Sequence, residues 1–159
     1  MSFPSTPRPC LPHPTECDVE RWLDELPVDP RAILPEHAAR LCAARAVVEP
    51  LVVARLEASA HTLADAGPVR SWIALVGQWR ARAAISGLLA CLDSSDALVA
   101  EEVVHALTRI GAAAVTPAMF VAFDRRRSPV ARSHAIDALA SLANAAQHLA
   151  GDRRWYGDA

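Results

Sequence analysis

The sequence predicts an all-α fold, an α-solenoid of about three and a half helix pairs behind one leading helix. Three observations predict it. Helical apolar spacing, with no convincing strand, follows the chain from about residue 15 onward. An Ala-Leu pair recurs every 32 residues, in WIALVGQW (Trp72 to Trp79), VHALTRIG (Val104 to Gly111) and IDALASLA (Ile136 to Ala143). A second register runs through VARLE (53–57), LACLD (89–93) and FVAFD (120–124), each with two large apolar residues three apart and then an acid. Pro50 and Pro117 both stand seven residues before their acids. A single register would mean little in a chain this rich in Ala and Leu; one register per helix of a pair is what stacked pairs with a shared core require.

The elements follow in order. Residues 1–14 hold five of the 12 prolines, whose fixed φ and missing donors prevent regular pairing, so they read as a flexible tail ahead of a domain spanning 15–159. Thr15 can cap a helix with Glu16 and Asp18 in its first turn; Val19, Trp22, Leu23 and Leu26 share one face before Pro27 ends it near residue 26. Pro35 then opens PEHAARLCAAR, Pro50 opens PLVVARLEASAHTLA and Pro68 opens PVRSWIALVGQW, each in a first helical turn where a missing N–H costs little. ARAAISGLLACLD runs to Asp93, and Asp96 caps ALVAEEVVHALTRI, which stops at Gly111. Thr116-Pro117 starts PAMFVAFD, and Ser128-Pro129 starts PVARSHAIDALASLA.

Composition excludes some functions. With 159 residues and 52% hydrophobic content the chain can bury a core without disulfides or metals. A formal charge of −2 and a pI near 6.3 give no field that attracts nucleic acid or an anionic membrane. No Cys-x-x-Cys occurs, no cationic start precedes an apolar run, and no stretch reaches about 18 uninterrupted apolar residues; the expectation is a soluble, cytoplasmic protein. All 16 basic residues are Arg, which points to a GC-rich bacterial genome.

LVAEEVVHALTRIGAAAVTPAMFVAFD (98–124) and SPVARSHAIDALASLA (128–143), with a weaker copy at 68–93, resemble bacterial HEAT-like repeats of the style found in phycobilisome lyases. The resemblance covers about two thirds of the chain and implies a right-handed solenoid that serves as a scaffold for other proteins. Deoxyhypusine hydroxylase, a HEAT-like enzyme, holds a di-iron centre with His-Glu pairs at helix starts. At the corresponding positions this chain has Glu101-Glu102 and Ser133-His134, and Glu36-His37 is reversed, so that activity is not carried over. The alternatives retained are a lyase or metal hydroxylase on the same repeats, and an immunity protein that neutralises a toxin.

Candidate chemistry is sparse. The 32-residue register places Glu102 beside His134 and His105 beside Asp137, ligand types for a divalent metal, but His105 points away from the stripe of Val99, Val103, Leu107 and Ile110. Cys10, His13 and Cys17 have zinc-compatible types without an obvious fourth ligand. No Gly-x-Ser-x-Gly elbow or phosphate-cradling glycine loop occurs. Arg125-Arg126-Arg127 reads as a solvated cationic turn, and no continuous basic stripe extends it toward nucleic acid. The expectation is no enzyme, no cofactor and no metal.

Lining up the second helices on Glu57, Asp93 and Asp124 assigns Val52, Val53 and Leu56, then Leu88, Leu89 and Leu92, then Met119, Phe120 and Phe123 to the core. The opposite face reads Leu51, Ala54 and Arg55, then Gly87, Ala90 and Cys91, then Ala118, Val121 and Ala122. Mostly small and apolar, it is expected to form a shallow concave groove for an apolar helix, a peptide or a second copy of the chain. At the C-terminal edge, Leu149, Trp155 and Tyr156 are expected to fold back over Ile136 and Leu142 or to meet a partner, because an open array exposes its core.

Overall fold

The computed structural model describes residues 14–59 and 68–155, and among them the chain is all-helical with no strand. Helix α1 (Glu16–Asp24) starts as its residues dictate. The Thr15 hydroxyl accepts from the Asp18 N–H while the Asp18 carboxylate accepts from the Thr15 N–H, a reciprocal cap, and Val19 and Leu23 are buried. The proline-rich segment 1–13 lies outside the described residues.

Helix α2 (Pro35–Ala43) carries its proline at the first position, as expected. Helix α3 (Arg45–Ser59) corrects the reading of Pro50, which lies inside the helix rather than at its start. The helix begins at Ala44, whose carbonyl accepts from the Val47 and Val48 N–H groups. Val48, Val52 and Leu56 are all fully buried at helical spacing. Anchoring Val48 in the core outweighs the one backbone bond that Pro50 forfeits on the exposed side.

Helix α4 (Val69–Gln78) follows Pro68. The ARAAISGLLACLD stretch is short α5 (Ile85–Ala90) between the 3-10 turns Arg82–Ala84 and Cys91–Asp93. Asp96 caps α6 (Ala97–Ile110) by accepting from the Leu98 N–H at 2.9 Å. Gly111 ends it with φ 84°, a conformation natural only to glycine. A 3-10 turn, Gly111–Ala114, leads into α7 (Val115–Phe123), and Ser128 caps α8 (Pro129–Trp155). Residues Ala97–Phe123 are long and apolar enough by composition to cross a membrane, at mean hydropathy 1.5, and the turn at Gly111 divides them between α6 and α7.

Packing follows two series. Helix α4 packs on α6 and α6 on α8, while α3 packs on α5 and α5 on α7. Links between the series join α3 to α4, α5 to α6 and α7 to α8. Between them lies one core that includes Leu56, Ile73, Leu88, Leu92, Val103 and Leu107, with Leu75 also buried and Leu139 half-buried against it. Small residues set two close approaches. A Cβ on Gly77 would lie 2.8 Å from the Ala106 Cα, and one on Gly87 would lie 3.2 Å from the Leu56 Cβ.

The C-terminal edge differs from expectation. Helix α8 runs on through Trp155 without turning back after Ala143, so among the described residues no fold-back covers Ile136, which is 57% exposed. Tyr156 lies outside the described residues. The cause is local: residues 144–155 contain no proline and one glycine, and nothing in them stops a helix that Ala-rich sequence propagates.

Candidate functional site

The expected groove is corrected by burial. Of its nine residues, Gly87, Cys91, Ala118, Val121 and Ala122 are buried in the core; Leu51 and Ala90 are half-buried, and only Ala54 is exposed. Arg55 is engaged within the fold: its guanidinium donates to the Asp24 carboxylate at 2.5 Å and stacks 5.3 Å from the Trp72 ring centre. These residues do not share one open face.

On α7 the assignment of faces is inverted. Ala118, Val121 and Ala122 point inward, while Met119, Phe120 and Phe123 are 45%, 73% and 75% exposed. The reason is the neighbour. Helix α8 turns Ala131, Ala135 and Ala138 toward the core, all fully buried, and two faces of small residues let α7 and α8 approach closely. Large residues would hold such helices apart, so they stay outside. The signal in the sequence is the alanine spacing of i, i+4 and i+7 on α8, matched by Ala118 and Ala122 on α7.

The open side of the second series therefore carries different residues from those expected. Thr116, Met119, Phe120, Phe123 and Asp124 line a hollow of about 480 Å³ on α7. On α3, Pro50, Val53, Ala54 and Glu57 with Ala83 border a wider trough of about 840 Å³, closed at one end by Arg45 and Glu49, which pair at 2.7 Å. Val53, expected in the core, is half-buried at this trough. Exposed aromatic side chains of this size on one helix face are what partner-binding surfaces present.

Comparison of the chain with protein-family models, with curated proteins and with solved structures finds no match.

The acids that mark the second register have a structural task. Glu57 accepts from the Ser86 hydroxyl at 3.2 Å, and Asp93 accepts from the Ser128 hydroxyl at 2.6 Å and pairs with Arg127 at 2.9 Å. These two acids are thus tied to the unit that follows them, whereas Asp124 accepts from the Arg126 N–H in its own turn at 2.9 Å. Asp24, paired with Arg55, ties α1 to α3. Arg127 is accordingly a tie between units rather than a free cation, while Arg125 and Arg126 remain exposed beside Phe123.

Other candidates are not brought together. Among the described residues no three His, Cys, Asp or Glu side chains gather. His134 is half-buried with Nδ1 3.4 Å from the Leu92 carbonyl, whereas His105 and Asp137 are exposed. Cys10 and His13 lie outside the described residues, and Cys17 is exposed. Burial pushes the Cys91 thiol up from 9.0 to about 11, which makes it a packing residue rather than a nucleophile.

Proposed function

We propose that this chain is a non-enzymatic adaptor of HEAT-like architecture that binds a protein or peptide on the open side of its second helices. The observation that carries the reading is the outward pair Phe120 and Phe123, with Met119, on a helix whose other face is already packed against α8. Two features support the solenoid part: first and second helices pack in separate series, and the terminal acids Glu57 and Asp93 bond to the following unit. The partner segment presents apolar side chains, and the exposed Arg125 and Arg126 in the turn after α7 favour one that also carries carboxylates. Nucleic acid, membrane and cofactor have no part in this reading, and its setting is a bacterial cytoplasm.

The test is capture by cross-linking, with the Phe120→Asp/Phe123→Asp variant as comparison. Both positions are exposed, so the variant keeps its helical content and melting behaviour. Proteins captured by the natural chain, or a dimer seen by sedimentation, disappear in the variant. Equal capture by the two chains, or a natural chain that is monomeric and captures nothing, refutes the reading.

A further inference from the structure

On the other side of the molecule, between the Pro30–Ala32 turn, α4 and α6, lies a cleft of about 450 Å³ whose polar lining is Arg31, Gln78, Glu102, His105 and Arg109. Ile33 and Leu75 supply apolar wall. A second hollow of about 500 Å³, lined by Gly77, Gln78, Arg80 and Arg109, shares Gln78 and Arg109 with the first. The two hollows adjoin at Gln78 and Arg109, and each has the size that small ligands occupy.

Its three arginines are exposed, and among the described residues no carboxylate pairs with them. Arg21, Arg45, Arg55 and Arg127 each pair with a carboxylate within the fold. The guanidinium groups of Arg31, Arg80 and Arg109 have no hydrogen-bond or ion-pair partner among the described residues, and Glu102 is the single acid beside them. Arg80 is also the only non-glycine residue with positive φ among those described, at 52°. It occupies the turn that closes α4, where the Ala81 N–H reaches the Val76 carbonyl at 2.9 Å and the Arg80 N–H reaches Gly77 at 3.1 Å. Glycine holds that position without steric cost, and arginine does not. The strained residue is the one that supplies the second hollow with its cation, as strain retained at a binding site does.

We propose that this cleft binds a small oxyanionic ligand, one bearing phosphate or paired carboxylates, through the guanidinium forks of Arg31, Arg80 and Arg109 with Gln78 as a neutral donor. Planar forks with free N–H groups match the oxygens of either group bidentately. The site is independent of the α7 surface and of the partner proposed for it.

Titration calorimetry at constant ionic strength, with inorganic pyrophosphate, malonate and chloride as probes, tests the assignment. Pyrophosphate or malonate binds with a Kd below about 1 mM, and which of the two binds more tightly tells phosphate from carboxylate chemistry. Arg31→Ala and Arg109→Ala each weaken binding about tenfold, the loss of one charge-assisted contact. Arg80→Gly weakens binding as well yet raises the melting temperature, a combination that an arginine serving only the dipole at the end of α4 does not produce. Glu102→Gln tightens binding by removing the opposing charge. Absence of binding, equal heats with chloride, or unchanged affinity in Arg80→Gly and Arg109→Ala overturns the proposal.

Discussion

Replacing Gly77 with alanine sets two effects of known sign against each other. Alanine is the better helix former, and at an exposed helical position the exchange stabilises by about 0.5–1 kcal/mol. Gly77 is buried, however, and its new Cβ would sit 2.8 Å from the Ala106 Cα and 2.9 Å from the Ala106 Cβ. Carbon atoms rest at about 3.5–4.0 Å, so α4 and α6 must part by roughly 0.5–1 Å. The obstructing atoms are backbone and a methyl, neither of which can rotate away. Against rigid atoms under 3.0 Å away the overpacking cost lies in the upper part of its usual range, about 2–3 kcal/mol, and leaves a net loss of about 1–2.5 kcal/mol after the helical gain. Urea unfolding followed by circular dichroism reads this as a lower midpoint at unchanged slope, with a melting temperature about 2–10 °C lower. Gly87→Ala, whose nearest neighbour would be 3.2 Å away, loses less. A Gly77→Ala protein as stable as the natural one, or more so, would show that α4 and α6 are not in this contact.

Four further outcomes follow from the same fold. Leu107 is fully buried, so Leu107→Ala costs about 2–5 kcal/mol in urea melts, and Leu139→Ala at a half-buried site costs less; equal or inverted losses argue against the repeat register. Gly111 has φ 84° and ψ −144° with open space around it, so Gly111→Ala loses about 1–3 kcal/mol from backbone strain alone, and an unchanged melting curve would contradict that turn. Because the folded Cys91 thiol titrates near 11 rather than 9.0, its contribution is intact below pH 9 and lost as pH rises toward 11; up to about 2–3 kcal/mol of alkaline destabilisation disappears in Cys91→Ala. Val121→Asp puts a carboxylate at a buried position and unfolds the protein, whereas a folded variant deficient only in association would restore the groove expected from sequence.

Helix starts were legible because capping is local chemistry. Thr15, Asp96 and Ser128 announce their helices by side chains that reach backbone N–H groups two or three residues on. Pro50 misled because a first-turn proline and an interior one look alike until the burial of Val48 is known. The acid register was visible, but its meaning was not, since the serines that Glu57 and Asp93 bond to lie 29 and 35 residues away. The candidate groove failed on one assumption, that large apolar residues go inside. On α7 what goes inside is decided by α8, and the alanine spacing there, although present in the sequence, carries weight only once the two helices are known to touch.

The alanine seam between α7 and α8 also grades the molecule from end to end. A buried alanine withdraws one methyl from water, about 0.8 kcal/mol, where a buried leucine contributes about 1.5–3 kcal/mol. The junction built on Ala118, Ala122, Ala131, Ala135 and Ala138 is therefore held more by fit than by adhesion, unlike the core around Leu88, Leu92 and Leu107. On the solenoid reading proposed above, an array coupled only to nearest neighbours opens first at its last unit, without disturbing those before it. The outward aromatic rings of Phe120 and Phe123 ride on that last unit. Anything that grips them takes hold of the one part of the fold whose order it can change, so occupancy of the rings and fraying of the C-terminal end become two readings of a single equilibrium.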